Sequence, residues 1–207
     1  MRVTCYCVAY NEEDLMPFYL RHCLSFADRV VVYDNMSSDR TRDVALSFPK
    51  TEVRSWDVGG LNDAAYLLIK NNCYKEERGK SDWVVVGDVD EILWAPDIRK
   101  RLAECKEAGI DVPSTTSFDM VSDSFPSNSG MIYDHVKTGL PSFVATNRRL
   151  MYSKRLVFNP AVEIRYEPGC HFCSSTGVVE NDAGSFYVLH YKYLGLDRLK
   201  SRHRMYA

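Results

Sequence analysis

Residues 82–93 read DWVVVGDVDEIL. Three valines behind a tryptophan have the composition of a buried strand, yet the run ends in three carboxylates, Asp88, Asp90 and Glu91. A core strand can close on any polar turn, so this concentration of negative charge is the feature to explain. In extended backbone, residues two apart project to the same side, so Asp88 and Asp90 are expected to face together while Val89 points away. Two carboxylates held that close repel unless a cation lies between them, and an oxygen-only set suits Mg²⁺ or Mn²⁺. A bare Asp-x-Asp by itself reads as a solvated turn. Its place at the end of an apolar strand separates it from that background.

Working outward, the first hundred residues alternate between two patterns. Strands are expected at Val3 to Tyr10, Arg29 to Asp34, Glu52 to Asp57 and Trp83 to Asp88, each rich in Val, Tyr, Trp or Cys. Helical spacing occupies Glu12 to Phe26, Asp39 to Phe48 and Asn62 to Glu77. The order βαβαβαβ implies a parallel sheet with right-handed crossovers and helices on both faces. Ligands of such sheets bind outside the carboxyl ends of the strands, and all four expected strands end in polar residues. After Pro96 come a helix to about Ala108, a strand from Ile110 to Val121 and a long Ser-, Pro- and Gly-rich loop over 122–150. Strand-like runs at Leu156 to Tyr166 and Ser185 to Tyr191 precede a final helix from Leu194. No repeat or linker interrupts the 207 residues, which read as one domain with halves at 1–95 and 96–207.

With 45% hydrophobic and 12% aromatic residues, the chain can bury a substantial core. No apolar run is long enough to span a bilayer, and a soluble, cytoplasmic protein is expected. The seven cysteines are odd in number and lie mostly in apolar segments, where free thiols pack as small hydrophobes. Cys170 and Cys173 form a CxxC, but a zinc site needs a second pair that is missing. The net charge of −2 does not favour a nucleic-acid surface. Its distribution is uneven: from residue 148 onward ten Lys or Arg stand against five Asp or Glu. An acidic front and a basic tail together suit a cation and a polyanion, or simply two solvated faces.

Four stretches in this order, AYNEEDLMPFYLRHCL from Ala9, VVVYDNMSSDRT from Val30, SDWVVVGDVDEIL from Ser81 and LHYKYLGLDRLKSR from Leu189, resemble the signatures of family 2 glycosyltransferases. The resemblance implies a GT-A fold: a mostly parallel, Rossmann-like sheet flanked by helices, with a smaller C-terminal acceptor-side region. It implies transfer of a sugar from a nucleotide-sugar donor to the hydroxyl of a glycan or other acceptor, in glycan or polysaccharide synthesis, with peripheral membrane contact compatible. Residues 1–95 would hold the nucleotide sugar and 96–207 the acceptor. Tyr10, Asn11 and Glu12 would line base and ribose, and Asp34 would accept a hydrogen bond from the base. Asp88, Asp90 and His190 would serve a Mn²⁺ or Mg²⁺ ion, with Asp90 the direct ligand, Asp88 nearer the ribose and His190 a further ligand. His171 falls at an acceptor-side turn.

Lys70 and Lys154, ahead of Arg148, Arg198 and Arg202, are candidate diphosphate clamps. Inverting transfer needs a carboxylate base within reach of the acceptor hydroxyl, and Glu91, Asp119, Asp123 and Glu163 are the candidates. The plain acidic pair of better-known members is absent, which leaves the base unassigned. Two other readings use the same residues. VVVGDVDEIL also resembles the start of haloacid-dehalogenase-type phosphatases, but those place this strand near the chain start, and VENDAGS at 179–185 is a poor second motif. A sugar-nucleotide-binding module without chemistry is the other; intact Asp88, Asp90 and His190 favour an enzyme.

Overall fold

The computed structural model describes residues 1–59, 62–141, 154–170, 172–180 and 186–205. Strand β1 (Val3–Ala9) leads through helix α1 (Met16–Leu24) to β2 (Arg29–Asp34), and α2 (Thr41–Leu46) leads to β3 (Thr51–Ser55). Helix α3 (Asp63–Lys70) and a 3₁₀ turn at Cys73–Glu77 return the chain to β4 (Trp83–Asp88). These four strands are parallel in the order β3-β2-β1-β4. All seven residues of β1 are buried, as expected of a parallel strand covered on both faces. The pleat divides them between two cores. Cys5, Cys7, Val30, Val32 and Val85 pack with residues of α1, whereas Tyr6, Val31, Val84 and Val86 pack with Tyr74, Phe158 and Tyr166.

Beyond Asp88 the chain turns at Val89–Asp90 and enters β5 (Glu91–Trp94), which belongs to a different sheet. Helix α4 (Ile98–Glu107), capped by Asp97 on the Lys100 amide, leads to β6 (Thr115–Ser122), then α5 (Ile132–His135) and β7 (Gly139–Pro141). Next come β8 (Val157–Phe158), β9 (Ile164–Tyr166) and β10 (Cys173–Ser175), then β11 (Phe186–Leu194) and α6 (Leu196–Met205). The second sheet runs β5-β11-β6-β7, with β11 parallel to β6 and antiparallel to β5, while β8 joins the edge of β4 antiparallel. The molecule is therefore α/β, with a mostly parallel central sheet flanked by helices, as the sequence predicts.

Several local expectations need correction. Asp88, Val89 and Asp90 are not one extended segment: Val89 and Asp90 form the turn, and Val89 is only 2% exposed. Helix α3 ends at Lys70 instead of reaching Glu77, because Asn71 exchanges side-chain hydrogen bonds with the Tyr166 backbone and Asn72 bonds the Leu68 carbonyl. The run 156–166 splits into β8 and β9 where the Asn159 side chain accepts from the Ala161 amide around Pro160. Strand β6 starts at Thr115 rather than Ile110; Pro113 has no amide for a ladder. The expected 122–150 loop contains α5 and β7, and its end from 142 lies outside the described residues. Among the described residues no helix is long and apolar enough to cross a membrane, and no three His, Cys, Asp or Glu side chains could hold a metal by themselves. All seven cysteines are free, and six are buried.

Candidate active site

A cavity of about 490 Å³ opens where the carboxyl ends of β1 and β4 meet the second sheet. Its walls include Tyr10 and Glu12 after β1, Asp63 and Tyr66 on α3, Asp88 to Glu91, Lys154, His190 and Lys192 on β11, and Leu199, Arg202 and His203 on α6. The acids come from the first half of the chain and most of the bases from the second. The uneven charge of the sequence therefore meets in one place, and the turn at 89–90 is the hinge of that meeting. The Tyr191 amide donates to the Asp90 carbonyl at 2.7 Å, pinning the turn against β11.

Asp88 lies between two lysines: Lys70 Nζ at 2.7 Å and Lys154 Nζ at 3.6 Å. Burial opposes ionisation of Asp88, but the lysines overcome it and hold its carboxyl below the usual carboxylate range. Lys154 also pairs with Glu91, whose side chain is 2% exposed. Burial would discharge both lysines, yet Asp88 raises the pKa of Lys70 and Glu91 with Asp88 raises that of Lys154. Deeply placed charges persist here because each has a partner.

Register sets the other half of the site. His190 stands opposite Glu91 on β5 and Asp119 on β6. Its Nδ1 is 3.0 Å from Asp119 Oδ1, and its Nε2 is 3.5 Å from Asp90 Oδ2. Burial alone would lower the His190 pKa; the two carboxylates push it up to about 10. Asp90, with burial against it and His190 beside it, is held well below the usual range. Glu12 is buried under α6, with Arg198 at 3.0 Å and Arg202 in contact. Burial raises its pKa to about 7 despite the two arginines.

The structure sorts the residues singled out in the sequence. Tyr10, Glu12, Asp88, Asp90, Glu91, Lys154, His190 and Arg202 line one cavity, and Lys70 joins them through Asp88. Asn11 borders a neighbouring 240 Å³ hollow, its backbone at φ 53° and its Oδ1 accepting from the Ser38 amide. Asp34 is 2% exposed and outside the cavity lining, facing the Ser37 amide, so the polar ends of β2 and β3 do not join those of β1 and β4. Of the base candidates only Glu91 lines the cavity. Asp119 stands behind His190, Asp123 is exposed away from the lining, and Glu163 is on the surface with Arg78 and Lys75. Arg198 holds Glu12. Arg148, His171 and most of the VENDAGS stretch lie outside the described residues. Tyr66 was not singled out, though Asp63, Tyr66 and Lys70 follow i, i+3, i+7 spacing on one helix face. Asn35 Nδ2 donates to its hydroxyl at 3.2 Å, and Trp56 packs edge-on at 5.2 Å.

A divalent ion fits the donors present. Adjacent ligands around Mg²⁺ at 2.0–2.1 Å stand roughly 3 Å apart, near the 3.5 Å between His190 Nε2 and Asp90 Oδ2. Such ions commonly take one or two protein ligands and fill the rest with phosphate oxygens and water, so two donors suffice.

No family model matches the chain, and no curated protein does. Solved structures do. TarS 1-349 from S. aureus superposes with a TM-score of 0.57 at 16% identity, over 93% of this chain and 61% of that one. The same protein in complex with UDP-GlcNAc gives 0.54 at 16% identity, over 91% and 58%, and in complex with UDP 0.55 at 16%, over 99% and 64%. The chain thus spans about three-fifths of the length of these TarS 1-349 chains, and at this identity what the two share is the fold.

Proposed function

We propose that this chain is a metal-dependent glycosyltransferase that moves a sugar from a nucleotide-sugar donor to an acceptor hydroxyl in glycan or polysaccharide assembly. One observation carries the reading: a cavity at the strand ends gathers Asp88, Asp90 and His190 beside Lys154 and Arg202, in a fold shared with a protein crystallised with UDP-GlcNAc. UDP-sugars are accordingly the first donors to test.

Asp90 and His190 would hold Mn²⁺ or Mg²⁺, which supplies Lewis-acid neutralisation of the departing nucleoside diphosphate. The chain's own residues do the rest. Lys154 and Arg202 place fixed positive charge on the walls where the diphosphate would lie, in a site largely shielded from water. Asp88, held by its lysines, stands at the end of β4 nearest the ribose. Tyr10, Val8 and Tyr66 supply apolar wall for the nucleoside. Residues 1–207 act as one catalytic domain in a cytoplasmic setting.

The test is turnover. Purified protein with Mn²⁺ and a panel of UDP-, GDP- and dTDP-sugars should release nucleotide slowly, and faster with an acceptor. Asp90→Asn should lower that rate by on the order of 100-fold or more, with a thermal melt verifying that the variant is folded, since Asp90 sits in a turn outside the apolar cores. Wild-type turnover in the variant would refute the metal assignment. Binding without release under any acceptor would instead identify a sugar-nucleotide-binding module.

A further inference from the structure

Asp119 does not border the cavity; His190 does. The two meet side by side because parallel pairing of β11 with β6 sets His190 directly opposite Asp119, and paired residues on neighbouring strands present their side chains to the same face. The contact is short, 3.0 Å from Nδ1 to Oδ1. On the far edge of the same ring, Nε2 faces Asp90 across 3.5 Å. Both neighbours of the imidazole are anchored by backbone. Asp119 is fixed through the sheet ladder, and Asp90 through the Tyr191 amide on its carbonyl. The ring is 15% exposed and Asp119 24%, so neither swings freely in solvent.

From this arrangement we infer that Asp119 is a positioning residue: it holds the His190 proton on Nδ1 and turns Nε2 toward Asp90, so that Nε2 presents its lone pair to a divalent cation that displaces the Nε2 proton. A carboxylate behind a histidine fixes its tautomer and ring orientation and raises its basicity as a ligand. The inference rests on the metal-dependent reading proposed above and assigns Asp119 a duty different from taking the acceptor's proton. A base must reach the substrate; a carboxylate screened by His190 acts through His190.

The experiment uses the full chain and measures Mn²⁺ binding directly, by electron paramagnetic resonance of the free ion, with and without UDP. Wild type is compared with Asp119→Asn, Asp119→Glu, Asp90→Asn and His190→Ala, and thermal melts verify that each is folded. Asp119→Asn should weaken Mn²⁺ binding about 10- to 100-fold, Asp119→Glu should recover part of the loss, and turnover of Asp119→Asn should return at saturating Mn²⁺. Nitrogen-proton correlation spectra of the metal-free protein should show His190 Nδ1 protonated in wild type and altered in Asp119→Asn. Wild-type Mn²⁺ affinity in Asp119→Asn, with Asp90→Asn and His190→Ala impaired, overturns the positioning role and leaves the metal site standing. Unchanged Mn²⁺ affinity in all four variants overturns both.

Discussion

His22 shows what one polar side chain contributes inside the core. It is 3% exposed on α1, its ring edge-on to Phe26 at 5.3 Å and Tyr133 at 5.7 Å, and Nε2 donates to the Leu93 carbonyl at 2.6 Å. Nδ1 has no partner among the described residues, which suits a neutral ring. Burial lowers its pKa from 6.5 to about 4, only partly offset by the Leu93 bond. The sign follows: above about pH 6.5 both folded and unfolded chains carry neutral His22, and as the pH falls toward 4 only the unfolded chain takes up the proton. Stability is lost across that window, by about 3 kcal/mol in total. Urea titrations at pH 7 and pH 4.5 should show the fall, and His22→Gln should remove most of it; an undiminished fall in that variant would clear His22 of responsibility. At this scale the sequence exposes chemistry but not partners. Asp88 and Asp90 stand out by composition, whereas nothing near Glu12 announces Arg198 and Arg202, which lie more than 180 positions away.

Helix α3 ties local sequence to the site. Asn62 starts it, its side chain accepting from the Ala65 amide at 3.0 Å, and the next turns carry Asp63, Tyr66 and Lys70 toward the cavity. Asn62→Ala should therefore cost about 1 kcal/mol of stability and weaken UDP binding severalfold, because loosening the first turn displaces Tyr66. Denaturant midpoints and calorimetric titration with UDP measure the two effects. Full affinity in a destabilised variant would mean that α3 is not a wall of the nucleoside site. The starts of α3 and α4 and the four parallel strands were legible because the Asn62 and Asp97 caps and buried runs are local signals. Helices α1 and α2 instead begin at Met16 and Thr41, later than expected and without a side-chain cap. The breaks at Asn71 and Asn159 were not legible, since the Asn71 turn depends on a bond to Tyr166 and the Asn159 turn on its position between two sheet partners.

On the scale of the whole molecule, the cavity is a seam. One wall belongs to the parallel sheet, another to the β5-β11-β6-β7 sheet, and α6 closes a third through Glu12. A ligand that bridges these walls stabilises all of them together. Mn²⁺ with a preferred sugar nucleotide at about a hundred times Kd should add about 2.7 kcal/mol and raise Tm by roughly 5–10 °C for a domain of this size, with chelation of the metal removing most of the gain. No shift with any UDP-, GDP- or dTDP-sugar would count against a nucleotide-sugar site here.

By itself the sequence determined the α/β alternation, the parallel direction of the first four strands, and the acids at the end of the fourth, because periodicity, capping and composition act over a few residues. Only the tertiary structure decided which of the polar strand ends share a cavity, that the Asp-Val-Asp segment is a turn between two sheets, and that Asp119 stands behind His190. Those relations depend on strand order and register, and these are fixed by packing between segments far apart in the chain, where no local pattern records the outcome.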